Sequence, residues 1–153
     1  MHQYQASVTW QRGEQRFLDN RYSRAHQWSF DGGLQVAASS SPLSVPLPMS
    51  DAGAVDPEEA LIAALSGCHM LFFLSIAAQR GFVVDSYHDQ AVGTMQKDAS
   101  GKQSITHIVL RPAITFSGEK LPDRAARDDM HHSAHTQCYI ANSIKADVSI
   151  EEG

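Results

Sequence analysis

Apolar and polar residues alternate at the start of the chain. Tyr4, Ala6, Val8 and Trp10 share one parity, and Gln3, Gln5, Ser7 and Thr9 share the other. A period of two predicts a half-buried strand over 4–10. Two more extended runs, 24–30 and 33–39, are separated by the turn sequence Asp31-Gly32-Gly33. Ser39 to Pro48 is rich in Ser and Pro, which rules out a helix interior and predicts an exposed, irregular loop ending at Gly53.

The pattern then changes. Asp56 is a good N-cap, Pro57 suits the first helical position, and Glu58 and Glu59 suit the positive end of the helix dipole. A helix is expected from 57 to about Arg80, stopped by Gly81. Its stretch from Ala60 to Ala78 is apolar and nearly the length of a membrane span. Ser66, Gly67, Cys68 and His69 interrupt it near the middle, where polar groups cost most in lipid, so a helix buried on most sides is the better account. Gly67 costs a helix about 1 kcal/mol relative to Ala. Ser66-Gly67 therefore predicts a kink or a close approach, with room left beside the Cys68 sulfur.

Two long strands are expected next, at 83–96 and 104–116, joined as a hairpin by Asp98-Ala99-Ser100-Gly101. Pro122-Asp123 opens a second helix running to about Cys138. Ile144, Ala146, Val148 and Ile150 alternate with Lys145, Asp147, Ser149 and Glu151 in a last strand. Strands grouped in runs, in the order β-β-β-α-β-β-α-β, predict an α+β fold with largely antiparallel pairing. No repeat or linker divides the chain, so one domain over 1–153 is expected.

Composition narrows the function classes. A chain of 153 residues with 42% hydrophobic residues can bury a core. Only 19% of residues are charged, which leaves apolar surface for a second copy to cover. The net charge of -5 and the absence of a basic stripe argue against nucleic acid. The start Met1-His2-Gln3-Tyr4-Gln5 lacks the basic-then-apolar pattern of a secretion signal. Two cysteines do not make a secreted disulfide scaffold, and a cytoplasmic location is expected.

Those cysteines, Cys68 and Cys138, are the main candidates for chemistry. Each could be a small buried hydrophobe, half of a redox pair or a metal ligand. They stand 70 positions apart (138 − 68), so only the fold can bring them together. His131, His135 and Cys138 fall at i, i+4 and i+7 of the second helix, one face bearing zinc-ligand types, with His132 and His69 as possible additions. The short Cys pairs of structural zinc sites are missing. His26, His88 and His107 fit exposed or hydrogen-bonded roles, and Trp10, Trp28, Phe72 and Phe73 fit the core. No phosphate loop, Ser-His-Asp signature or paired-carboxylate motif is present.

The run Asp56-Pro57-Glu58-Glu59, followed by Ser66-Gly67-Cys68-His69, resembles the OsmC/Ohr family of osmotically inducible and organic hydroperoxide resistance proteins. Ala134-His135-Thr136-Gln137-Cys138 is similar to the segment carrying the family's second cysteine. Arg24, ahead of Asp31-Gly32-Gly33, is similar to the family's early arginine. The likeness covers nearly the whole chain. Two departures stand out: Tyr139 follows Cys138 where the peroxidases carry proline, and His69-Met70 follows Cys68 where they carry an apolar or aromatic residue.

The resemblance implies antiparallel sheets around two central helices in an intertwined homodimer, with no cofactor, no metal and no membrane partner. It also implies a thiol-dependent hydroperoxide reductase. Cys68 would attack an organic hydroperoxide and Cys138 would resolve the sulfenic acid as a disulfide. A dithiol reductant would then reset the pair. Arg24 would favour the thiolate and hold the peroxide, Glu58 would orient Arg24, and Arg21 is the other candidate arginine. Glu58 and Cys68 are ten positions apart (68 − 58), about 15 Å along one helix, so they cannot touch within it. Glu58 is therefore expected to reach Cys68 of a second subunit. The competing expectation is a binding protein of the same fold that holds an apolar ligand or a metal in the dimer cleft.

Overall fold

The computed structural model describes residues 1–153. The chain forms two compact units, Met1–Ala60 and Leu61–Gly153.

The first unit holds β1 (Ala6–Thr9), β2 (His26–Phe30) and β3 (Gln35–Ala38), an antiparallel sheet in that order. Val8 pairs with Trp28, and Trp28 with Val36. The expected turn closes β2 on β3: Gly33 N donates to Phe30 O and Phe30 N to Leu34 O, each at 3.0 Å. Trp10 does not enter a core. It is 37% exposed and meets Phe17 and Tyr22 instead, because β1 lies at the edge of a sheet whose residues are mostly exposed.

Helix α1 (Pro57–Gln79) begins at the end of this unit. Glu59 N donates to Asp56 Oδ1 at 2.8 Å and Asp56 N donates to Glu59 Oε2 at 3.4 Å. This reciprocal capping box satisfies two of the free N–H groups of the first turn. At the other end Gly81 takes φ +82° and Phe82 N donates to Ala77 O at 2.9 Å, closing the helix as expected. By length and composition α1 could cross a membrane. Here Leu65, His69, Phe73, Ile76 and Ala77 form its buried stripe. The expectation of burial on most sides is corrected, since Leu71 remains 64% exposed. The helix is also continuous through Ser66-Gly67, and nothing within the chain crowds Gly67. The crowded glycine is Gly93, where a Cβ would collide with the Ile62 side chain and so hold α1 off the sheet.

The two expected long strands are each broken. β4 (Val83–Asp89) and β7 (Pro112–Ser117) make a two-stranded sheet, while β5 (Val92–Lys97) and β6 (Gln103–Leu110) belong to another. The break falls where Asp89 faces Pro112 in register. Asp89 Oδ1 takes the Arg111 N–H at 2.6 Å, Asp89 Oδ2 takes the Ser66 hydroxyl, and Pro112 has no N–H to extend the ladder. Helix α2 (Arg124–Gln137) starts at Asp123, whose Oδ1 accepts from Ala126 N at 2.8 Å, and ends at Cys138. A short 3₁₀ turn, Ala141–Ser143, precedes β8 (Asp147–Ile150), which adds parallel to β6. The α+β class stands, with this one parallel strand pair among antiparallel ones.

The second unit has two apolar clusters. Phe73, Ile76 and Ala77 of α1 meet Met130 and Ala134 of α2 in one. Leu65 of α1, Ile108 and Leu110 of β6 and Cys138 form the other, with Cys68 packed against it.

Candidate functional site

The fold brings the two cysteines together. Cys138, fully buried, ends α2, and Cys68 on α1, partly exposed, packs into the same cluster. No bond joins them; both are free thiols. Burial pushes the Cys138 thiol above its ordinary pKa. Its neighbour Cys68 adds to the rise, and the Ala141 N–H, 3.4 Å from the sulfur, pulls part of the way back. Cys138 thus stays a thiol at neutral pH and is closed to solvent, while Cys68 is the thiol a molecule from outside can reach.

Arg24 lies in the first unit. Its guanidinium donates to Tyr22 O, to Asn20 O at 3.1 Å and to Asn20 Oδ1 at 3.0 Å. It also sits 3.6 Å above the Tyr22 ring. Its partners are therefore Asn20 and Tyr22, and Glu58 is not among them. Glu58 Oε2 is buried and makes no hydrogen bond within the chain. Arg24 lines an apolar cavity of about 520 Å³ with Val8, Trp10, Phe17 and Tyr22. Phe17 and Tyr22 stack there at 4.7 Å. Arg21 is exposed and lines no part of this cavity.

The row His131, His135 and Cys138 does not form a common site. No three His, Cys, Asp or Glu side chains are arranged to hold a metal ion. Instead His131 Nδ1 meets His69 Nε2 at 2.9 Å in the interior, and Cys138 turns to Ala141. This histidine pair was not legible in the sequence. Its one signal was the position of His69, four residues after Leu65 and four before Phe73 on the apolar stripe. Both imidazoles are driven down to a pKa of about 4, first by burial; for His69 the neighbouring histidines add to the fall. His26 and His107 are hydrogen-bonded, to Arg24 O and Ser149 Oγ respectively, and His88 is exposed, as expected.

The α+β fold thus sets two free thiols of unequal access in one cluster. The sequence model of the family described as OsmC-like protein matches residues 50–153. The chain belongs to the OsmC/Ohr family. An OsmC-like protein of unknown function from Vibrio cholerae is similar over the whole of both chains, with 51% identity and a TM-score of 0.98. The organic hydroperoxide resistance protein OhrB of Bacillus subtilis is 20% identical over 98% of each chain, with a TM-score of 0.65. An organic hydroperoxide resistance protein from Elizabethkingia anophelis is 14% identical over 100% of this chain and 98% of its own, with a TM-score of 0.70. At those lower identities the likeness is one of fold. No curated protein sequence matches the chain.

Proposed function

We propose that the protein reduces organic hydroperoxides with Cys68 as the attacking thiol and Cys138 as the resolving thiol. The observation that carries this reading is the pairing of a reachable Cys68 with a fully buried Cys138 in one cluster. The Cys68 thiolate attacks the terminal peroxide oxygen, the O–O bond breaks, and the alkoxide takes a proton and leaves as the alcohol. Cys68 is then a sulfenic acid. The Cys138 sulfur attacks the Cys68 sulfur, an S–S bond forms, and the hydroxyl leaves as water with the Cys138 proton. An external dithiol supplies two electrons and two protons by exchange and restores both thiols.

The Arg24 cavity suits the rest of the substrate. Its aromatic walls would take an apolar group while the guanidinium meets the peroxide oxygens. A second copy of the chain completes the site in this reading, bringing Glu58 and Arg24 of one copy to Cys68 of the other. The apolar surface left open on α1, marked by Leu71, supports such an intertwined dimer. The reaction belongs in the cytoplasm, where reduced dithiols are available.

Cys68→Ser should abolish consumption of an organic hydroperoxide with a dithiol reductant. Cys138→Ser should leave one turnover, its sulfenic acid trapped by dimedone, or cycle slowly as the dithiol reduces that sulfenic acid directly. Undiminished turnover in Cys68→Ser would overturn the reading, and a fully active monomer in sedimentation would remove the shared site. The same cavity also favours a second reading, a module that binds an apolar ligand without turnover. Saturable binding of an apolar fluorophore, lost in Trp10→Ala, together with no peroxidase activity would select it.

A further inference from the structure

The buried His69–His131 pair has no part in the chemistry above. It is 62 positions apart in sequence, and it lies in the interior beside an apolar cluster. The two rings are within 9° of parallel with centroids 5.3 Å apart. Together with the 2.9 Å N···N contact, this places the hydrogen bond close to the ring planes, along the lone-pair direction. The bond is therefore directional, unlike the packing of apolar side chains around it.

Its other end is also held. His131 Nε2 lies 3.3 Å from Glu152 Oε2, too poorly aligned for a good hydrogen bond but close enough to favour a proton on that nitrogen. Glu152 Oε1 is in turn 3.4 Å from Arg127 Nη1. A proton on His131 Nε2 leaves Nδ1 as an acceptor, so His69 Nε2–H donates to it. In that tautomer His69 Nε2 is the donor and His131 Nδ1 the acceptor of the one hydrogen bond, with the Glu152 carboxylate near the other nitrogen.

Its position in the fold gives this bond its consequence. His69 follows Cys68 directly on α1, and His131 precedes Cys138 by seven residues on α2 (138 − 131), about two turns. Neighbouring residues on a helix point about 100° apart, so fixing the direction of His69 fixes that of Cys68. Further polar ties to α2 come from Arg80, just past the end of α1, which reaches Asp129 at 2.6 Å and Ser133 at 3.4 Å. These lie at the molecular surface, eleven residues or about three turns beyond His69 (80 − 69).

We propose that His69 and His131 are positioning residues that set the orientation of Cys68 toward Cys138, so that disulfide closure depends on their hydrogen bond while the first attack on peroxide does not. The inference rests on the cysteine pair of the proposed function and extends it. A disulfide tolerates only a narrow range of Cα separations and dihedral angles, so a turn of α1 that leaves Cys68 reachable can still carry it out of range. A peroxide is mobile and makes no such demand of α2. A well-packed apolar pair could replace two buried imidazoles with little loss of stability, and would lose this directionality.

The test compares His131→Phe, which fills the space without an acceptor, with His131→Gln, which keeps one. The first readout is the equilibrium of the Cys68–Cys138 disulfide in a glutathione redox buffer, followed by thiol trapping and mass spectrometry. It requires no peroxide, so it stands apart from the peroxidase reading. Folded His131→Phe should form the disulfide at least fivefold less favourably than the native protein, with His131→Gln recovering part of the loss. The second readout is single-turnover kinetics with an organic hydroperoxide. Sulfenic acid should appear at an unchanged rate and disappear at least tenfold more slowly. An unchanged disulfide equilibrium in folded His131→Phe, or equal slowing of both steps, overturns the proposal. If His131→Phe does not fold, His69→Gln and His69→Leu give the same comparison from α1. Absence of peroxidase activity in the native protein, with the disulfide equilibrium still sensitive to His131, would overturn the proposed function alone.

Discussion

At the scale of single residues, access separates the two cysteines more clearly than their sequence surroundings do. Both sit at a helix position and both have histidines nearby, so composition treats them alike. In the fold Cys138 is fully buried and its thiol pKa is raised, whereas Cys68 has a path to solvent. A thiol reacts as its thiolate and only when it can be reached. Brief exposure of the native protein to iodoacetamide at neutral pH should therefore label Cys68 at least tenfold faster than Cys138. In urea the two rates should converge. Peptide mass spectrometry reads both sites at once, and faster labelling of Cys138 in the native protein would reverse the assigned roles. The histidines show the opposite case. His131 shares a helical face with His135 and Cys138 in the sequence, which points toward a metal, but its ring is committed to His69. Spacing along one helix fixes which residues share a face; it does not fix what that face meets.

At the scale of elements, the readable features are those that act over a few residues. The start of α1 needs only Asp56, Pro57 and Glu59, and its end needs only Gly81, so both ends fall close to where the sequence puts them. The start of α2 at Asp123 is another such feature. Asp56 is buried as well as capping, so Asp56→Ala should lower stability by about 1 kcal/mol, within a range of roughly 0.5–2. The shift in urea midpoint measures this. An unchanged midpoint would mean that α1 draws nothing from its cap. The break in the hairpin was not readable in the same way. No turn sequence divides the single strand expected over 83–96, and the interruption depends on Asp89 meeting Ser66 and Arg111, residues far from it along the chain. The parallel addition of β8 to β6 has the same cause, a pairing decided across the fold rather than within a segment. The cysteine pair was legible through its resemblance to a family, and only the fold supplied the difference in exposure.

At the scale of the whole molecule, the buried histidine pair ties stability to pH. His69 and His131 have folded pKa values of about 4 against an ordinary 6.5, because burial penalises the imidazolium. Around His131, Asp128 and Asp89 favour the charged form, while Arg124 and Arg127 oppose it. His131 and His135 oppose charge on His69. Between pH 6.5 and 4 the unfolded chain therefore binds protons at these positions that the folded chain does not. Stability from this source is complete above about pH 6.5 and falls as the pH drops toward 4, by up to about 1.4 kcal/mol per pH unit for each group. Glu152 acts in the opposite sense. Its carboxyl pKa is raised, by burial above all, so the folded state holds its proton longer than the unfolded state as pH rises. Two histidines against one carboxyl leave the net slope with the histidines, and most carboxylates titrate below the upper part of this window. The urea midpoint should fall from pH 7 to pH 5, and the fall should be clearly smaller in a folded His69→Phe, His131→Leu double variant. An equal fall in both proteins would show that the pair does not control acid stability. A smaller fall in the variant would identify one buried contact that both sets the acid limit of the fold and, by the inference above, holds the two thiols in register.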